Sequence, residues 1–373
     1  MKVLAVFGTR PEAIKMCPLV IELKKRSEIE CIVCLTGQHR EMLRQVMDAF
    51  GLHEDYNLDI MRDRQTLTTI TIDVLEKMES VLIQERPNLV LVHGDTTTSY
   101  AAALAAFYQQ IPVGHVEAGL RTGDRYSPFP EEMNRLLTDR ISTYYFAPTE
   151  QNRANLLREG IERNVFVTGN TVIDSFAYTV KENYVFREKV LNEIDYERTK
   201  LILVTAHRRE NWGQPLEKIC RAIRKLSDEC QEEIRFVYPV HLNPTVRKTV
   251  YDILSGKENI LLLDPIDVLD MHNLLSRCAM VMTDSGGIQE EAPHFGKPVL
   301  VLREETERPE AVEAGTVKVV GTDEERIYQA VKTLLYDENA YDKMAKAVNP
   351  YGDGHACRRI VKLLSEMICH DAP

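Results

Sequence analysis

At 373 residues, with 28% charged and 44% hydrophobic side chains and a mean hydropathy of −0.26, the chain suits two globular domains of about 150 to 200 residues and lies outside disordered, collagenous and membrane-spanning compositions. Lysine and arginine number 46 against 57 aspartates and glutamates, a net charge of −11, and no long basic patch breaks that background, which excludes nucleic acid and anionic membranes as expected partners. Such a surface also repels an anionic metabolite unless cations gather where it binds.

The first apolar run, residues 3–7, is too short for a signal-peptide core, and no run approaches the roughly 18 residues of a spanning helix, so a cytoplasmic protein is expected. Strand patterns at 2–7, 31–36, 88–93, 112–117, 144–147 and 165–168 alternate with helical patterns such as 13–26 and 67–85. This βαβ order predicts a parallel sheet covered on both faces. The rhythm stops across the charged stretch 181–199 and restarts with strands at 201–206, 234–240, 260–263, 279–283 and 298–302, helices at 216–230 and 324–335, and a last helix at 355–368. The expected fold is α/β: two Rossmann-like doubly wound domains with an interdomain cleft. Eight cysteines read as reduced core thiols. Only Cys31 and Cys34 have metal-like spacing, and an odd separation along a strand sends them to opposite faces, so no metal site is expected.

Ligands of such sheets bind beyond the carboxyl ends of the strands, and the unusual residues lie there. Gly8-Thr9-Arg10-Pro11-Glu12 turns from the first strand into a helix whose start carries Arg10 and Lys15, either a cationic anion site or two solvated charges. GxGxxG is absent, which leaves a dinucleotide fingerprint unsupported. Asp95, in Gly94-Asp95-Thr96-Thr97-Thr98-Ser99, read alone is a cap for the next helix. Glu117, between glycines and followed by Arg121, is not explained that way. Glu131 and Glu132 complement a helix dipole, yet Asp95, Glu117 and Glu131 also make an acid/base set. His93, His115 and His294 sit in apolar contexts and read as satisfied core histidines.

In the second half, Thr205-Ala206-His207-Arg208-Arg209-Glu210-Asn211 follows a buried strand and reads as a cleft loop or a surface loop. His241, after the strand 234–240, is a further cleft candidate. The strongest local signal is Thr283-Asp284-Ser285-Gly286-Gly287-Ile288-Gln289-Glu290-Glu291. Ser285 is the expected N-cap, Gly286 and Gly287 let backbone N–H groups approach a phosphate, and Glu291 is an acceptor for sugar hydroxyls. Thr306-Glu307-Arg308-Pro309-Glu310 adds a cation at a helix start.

Taken in order, Gly8 to Glu12, Val92-His93-Gly94-Asp95-Thr96, His115-Val116-Glu117-Ala118-Gly119-Leu120-Arg121, Phe129-Pro130-Glu131-Glu132-Met133-Asn134-Arg135, Ala206 to Asn211, and Thr283 to Glu291 with Ala292-Pro293 resemble the non-hydrolysing UDP-N-acetylglucosamine 2-epimerase family of bacteria. The resemblance covers essentially the whole chain. It implies a fold like the B-type glycosyltransferases, with a catalytic domain at 1–170 plus the helix 355–373 and a UDP-binding domain at 171–354. It also implies a homodimer that interconverts UDP-N-acetylglucosamine and UDP-N-acetylmannosamine, by loss of UDP to 2-acetamidoglucal and its re-addition, without cofactor or metal. The product would feed bacterial surface polysaccharide or teichoic-acid linkage synthesis.

By position-wise match the resemblance makes Asp95, Glu117, Glu131 and His207 catalytic. It gives UDP and sugar binding to Arg10, Lys15, His207, Met271, Ser285, Gly286, Gly287, Glu291 and Arg308. A second, activating UDP-N-acetylglucosamine site falls on Gln38, Glu41, Arg64, Glu131, Arg208 and His241. Glu41 stands where glutamine is expected, an acceptor in place of a donor, which bears on the strength of activation. Met271 stands where phenylalanine is expected and fills similar space. The rival readings are a B-type glycosyltransferase, which needs an acceptor pocket, a hydrolysing epimerase, and a silent UDP-sugar sensor, which should have lost carboxylates that are all present.

Overall fold

Val3 to Phe7 are wholly buried, as a continuous apolar run is when both faces of its sheet are covered. In the computed structural model, which describes residues 1–37, 40–62 and 65–370, this run is β1 (Lys2–Phe7) of a seven-stranded parallel sheet. The others are β2 (Glu30–Leu35), β3 (Tyr56–Asn57), β4 (Leu89–His93), β5 (Val113–Val116), β6 (Tyr144–Ala147) and β7 (Val165–Val167), in the order β3-β2-β1-β4-β5-β6-β7. Helices α1 (Arg10–Lys24), α2 (Arg40–Phe50), α3 (Leu67–Glu85), α4 (Thr97–Tyr108), α5 (Glu131–Ile141) and α6 (Glu150–Arg158) make the crossovers, and α7 (Thr171–Thr179) follows β7. One core cluster joins Leu4, Val6, Val90 and Val92 to Val74 and Met78 of α3 and to Ala101, Ala102 and Ala105 of α4. Small alanines let α4 lie close to α3, and each larger buried side chain contributes about 1.5–3 kcal/mol.

The second sheet has six parallel strands: β8 (Lys200–Thr205), β9 (Ile234–Pro239), β10 (Ile260–Leu263), β11 (Met280–Thr283), β12 (Val299–Val301) and β13 (Val317–Val319), in the order β10-β9-β8-β11-β12-β13. With it run α8 (Gln214–Glu229), α9 (Pro244–Leu254), α10 (Val268–Arg277), α11 (Gly286–Glu291), α12 (Pro309–Ala314), α13 (Glu324–Tyr336) and α14 (Glu338–Ala345). Its core packs Ile202, Val204, Phe236 and Tyr238 against Leu216, Ile219 and Ile223. The last helix, α15 (Ala356–His370), packs on α1, and Asp174 of α7 holds its start by accepting hydrogen bonds from the N–H groups of Ala356 (3.1 Å) and Cys357 (2.8 Å). Contacts divide the chain into Met1–Tyr178 with Tyr351–Pro373, and Thr179–Pro350.

The fold class is the expected α/β, with two doubly wound parallel sheets. Strands β3 and β13 were not expected. With two and three residues they are too short for a periodicity, and β3 is held by the pairing Cys34↔Tyr56 and Leu35↔Asn57. Cys34 is buried and Cys31 half-buried, and burial pushes both thiols up to about 12, which leaves them protonated and inert as ligands. In each sheet the chain order reverses once, between β1 and β4 and between β8 and β11. Such switch points open a crevice at the strand ends.

Candidate active site

The first switch point is built on Glu12. Thr9 caps α1 by accepting a hydrogen bond from the Glu12 N–H, and Glu12 Oε2 accepts from the N–H groups of Thr9 (2.7 Å) and Gly8 (2.9 Å). Glu12 Oε1 accepts from Thr96 Oγ1 (2.6 Å) and Ser99 Oγ (2.8 Å) at the start of α4. One buried carboxylate therefore ties the end of β1 to the end of β4, and satisfies donors that the two helix starts would otherwise leave open. Thr96, not Asp95, caps α4, by accepting from Ser99 N at 3.1 Å. The expectation that Asp95 caps this helix is corrected, and its side chain is released for other contacts.

Arg135, 4% exposed, makes those contacts. Its Nη2 donates to Asp95 Oδ2 at 2.5 Å and its Nη1 lies 3.3 Å from Glu132 Oε2. Asn134 Nδ2 adds a bond to the Asp95 carbonyl oxygen at 3.0 Å. Glu132 accepts from the N–H groups of Thr122 and Gly123 at 3.1 Å and is structural. Its neighbour Glu131, the first residue of α5, has a buried Oε2 with no hydrogen-bond partner.

Glu117 follows β5 with φ +68°, left-handed backbone for a residue with a side chain, which costs of order 1–3 kcal/mol. Its Oε1 accepts from Lys15 Nζ and from Asn170 Nδ2 (3.2 Å). Lys15, expected to face an anion near the start of α1, is thus an ion-pair partner of Glu117. Oε2 stands 3.5 Å from His93 Nε2, and a Cβ on Gly94 would come within 3.1 Å of it. Arg10 is the first residue of α1.

The three histidines read as core residues divide. His115 is satisfied: Nδ1 meets Asp139 Oδ1 at 2.6 Å and Nε2 meets the Gly94 carbonyl at 2.7 Å. Burial opposes the charge on Asp139, but His115 and Arg121 outweigh it and hold that carboxyl below its ordinary range. His294 is exposed, in the turn 292–295 after α11, so its placement in the core is corrected; its ring meets Phe295 edge-on. His93 is buried but not satisfied, since its Nε2 has no hydrogen-bond partner.

At the second switch point a wholly buried carboxylate again joins two strand ends. Asp284 Oδ2 accepts from the N–H groups of His207 (2.7 Å) and Arg208 (2.8 Å) and from Asn211 Nδ2 (2.9 Å). Trp212 Nε1 donates to the His207 carbonyl at 3.1 Å. The His207 ring, 3.6 Å from Asp284 Oδ1, stacks on His241 with centroids 5.2 Å apart and planes 2° apart. Burial lowers the His207 pKa, Asp284 partly offsets this, and His241 and Arg208 lower it further. The ring is a neutral base to lower pH than a free imidazole.

Ser285 occupies the N-cap position of α11 but makes no side-chain cap bond. Over this turn lie two guanidinium groups: a Cβ on Gly286 would sit 3.5 Å from Arg308 Nη2 and 3.8 Å from Arg208 Nη2. Arg308 Nε donates to buried Glu290, its backbone N to Thr306 Oγ1 (3.1 Å), and Arg208 Nη1 lies 3.6 Å from Glu307 Oε1. Glu291 ends α11 with Oε2 3.7 Å from His272 Nε2, whose Nδ1 contacts Thr179 Oγ1 at 2.8 Å. Met271 is half-buried on α10. Gln38 and Arg64 lie outside the described residues, and Glu41 falls in the first turn of α2. Among the described residues no group of three or more His, Cys, Asp or Glu is placed to hold a metal, and no helix is long and apolar enough to cross a membrane.

The sequence model of the family described as UDP-N-acetylglucosamine 2-epimerase matches residues 21–365. The chain belongs to this family. The epimerase of Escherichia coli K12 is 54% identical over 372 residues, 98% of both chains. A Neisseria meningitidis UDP-GlcNAc 2-epimerase solved with UDP-GlcNAc bound aligns with a TM-score of 0.90 at 49% identity, over 98% of this chain and 100% of that one. S. aureus MnaA in its co-structure with UDP aligns at 0.89 and 49% identity, over 98% and 96%. Three partners of the family motifs escaped the reading of the sequence: Arg135, which holds Asp95; Asp284, which holds the His207 loop; and Asn170, which holds Glu117. The first two lie inside motifs, whereas Asn170 has no local signal.

Proposed function

We propose that this epimerase interconverts UDP-N-acetylglucosamine and UDP-N-acetylmannosamine by elimination and re-addition of UDP. A base takes the proton from sugar C2, the C–H electron pair forms the C1=C2 bond of 2-acetamidoglucal, and the C1–O bond breaks with its electrons leaving on UDP. UDP then re-adds at C1 while an acid protonates the other face of C2. Atoms and electrons balance without an oxidant, so the scheme needs no redox cofactor. The observation that carries the reading is the pairing of carboxylates with cations at the first switch point, Asp95 with Arg135 and Glu117 with Lys15. Such pairing holds the carboxylates in place for proton transfer.

In this reading Asp95, Glu117, Glu131 and His207 exchange protons with the sugar. Arg10, Lys15, Arg308 and the backbone of Ser285, Gly286 and Gly287 hold the diphosphate, where charge develops as UDP leaves. Glu291 accepts from the ribose, and Met271 packs near the nucleotide. The first unit supplies the carboxylates and the second the UDP site, in a cytoplasmic homodimer whose product feeds surface polysaccharide or teichoic-acid linkage synthesis. A second UDP-N-acetylglucosamine on Gln38, Glu41, Arg64, Glu131, Arg208 and His241 activates the enzyme; the stacking of His241 on His207 supports a link between the two sites.

Incubation with UDP-N-acetylglucosamine in D2O tests the scheme. UDP-N-acetylmannosamine carrying deuterium at C2 is expected, and conversion without exchange rejects it. Pure UDP-N-acetylmannosamine should turn over slowly until a trace of UDP-N-acetylglucosamine is added. Equal rates without the trace reject the activating site.

A further inference from the structure

His93 is the last residue of β4, 3% exposed, and its Nε2 meets no hydrogen-bond partner although Glu117 Oε2 stands 3.5 Å away. A buried polar atom left open is destabilising unless it has a use. His115, on the neighbouring strand β5, shows the contrast: both of its ring nitrogens are hydrogen-bonded. The surroundings of Glu117 explain the difference. Its Oε1 is taken by Lys15 from α1 and Asn170 from the turn before α7, whereas Oε2 faces β4, where Gly94 supplies no side chain and His93 supplies a ring nitrogen.

We propose that His93 is a positioning residue for Glu117: its Nε2–H closes on Oε2 when substrate is bound and sets the direction in which Glu117 meets the sugar's C2 proton. The inference rests on the reading of Glu117 as a proton-transferring group. Charged and titratable groups facing this carboxylate include Lys15 from α1 and His93 from β4, with His115 of β5 close to His93. An imidazolium at position 93 would be a second cation there and would weaken Glu117 as a base. Burial, against the pull of Glu117, pushes the His93 pKa down to about 3. The ring therefore stays a neutral donor, and catalytic hydrogen bonds of this kind are commonly long before substrate binds.

The test uses the full-length enzyme, with kcat, KM, thermal midpoint and UDP affinity measured across pH for the wild type, His93→Leu, His93→Gln and Glu117→Gln. His93→Leu should lower kcat about 10- to 100-fold with KM within about twofold, and should move the acid limb of kcat to higher pH, because a carboxylate that loses a donor holds its proton more tightly. His93→Gln, whose amide N–H can replace Nε2–H, should recover most of the loss. In the Glu117→Gln background, His93→Leu should cost nothing further. A folded His93→Leu enzyme with wild-type kcat and pH profile overturns the proposal, as do equal losses in the Leu and Gln variants. Full activity of Glu117→Gln instead rejects the role of Glu117. Should His93→Leu not fold, 15N-histidine spectra of the wild type decide: the Nε2–H tautomer of His93 is expected, and the Nδ1–H tautomer overturns the inference.

Discussion

Asp284 holds His207 by its backbone more firmly than by its ring: Oδ2 accepts the His207 N–H at 2.7 Å, while Oδ1 stands 3.6 Å from ring Nδ1. The loop is therefore fixed first, and the imidazole keeps some freedom to turn. Three donors converge on that one oxygen. Asp284→Ala should cost about 3 kcal/mol or more of stability, because each buried donor left open costs roughly 1–3 kcal/mol. Asp284→Asn keeps one acceptor oxygen and should lose about half as much, with turnover falling about tenfold as the loop loosens. Denaturant midpoints and kcat check both, and an unmoved midpoint in the alanine variant would show that the carboxylate does not hold the loop.

Gly286 separates fold from binding. A Cβ there meets no atom closer than 3.5 Å, and the residue is not among the glycines with positive φ, so Gly286→Ala should leave the unfolding free energy within about 1 kcal/mol of wild type. The added methyl does, however, stand where a diphosphate would approach the backbone. UDP affinity by calorimetry should fall about tenfold or more; unchanged affinity places the diphosphate elsewhere.

His93 gives a signed dependence on pH. Its pKa lies at about 3 in the folded chain against the ordinary 6.5, so between these values the unfolded chain binds a proton that the folded chain does not. Its contribution is intact above pH 6.5 and is lost as pH falls, at about 1.4 kcal/mol per pH unit. A glutamine at that position has no proton to take up. The stability of His93→Gln relative to wild type should therefore rise by that slope from pH 6.5 towards pH 4, measured by denaturant unfolding at each pH. A constant difference would place a charged imidazole in the native core.

Strands such as 3–7 and 201–206 were legible because a sheet covered on both faces demands unbroken apolar runs, and the strand-end glycines and charges marked the loops. What stayed hidden depends on distant partners. Thr96 and Asp95 are both competent caps, and only the place of Arg135 on α5 decides which one is used. His93 looks like a core residue from its apolar neighbours, and nothing nearby in sequence announces Glu117. Asp174 and Asp284 are carboxylates buried by donors from other segments, and Glu12 adds Thr96 and Ser99 to the bonds within its own capping box, a distant satisfaction that no local pattern encodes.

The bond from Asp174 to the start of α15 has a consequence for biosynthesis. The chain leaves the first unit at Tyr178 and re-enters it at Tyr351, so on the ribosome the α1 face covered by α15 stays bare while the continuous segment Thr179–Pro350 is being made. The second unit can close its core first, and the first is completed only once α15 has emerged. For that interval the uncovered surface of α1 is open to chaperones, to proteases and to wrong partners.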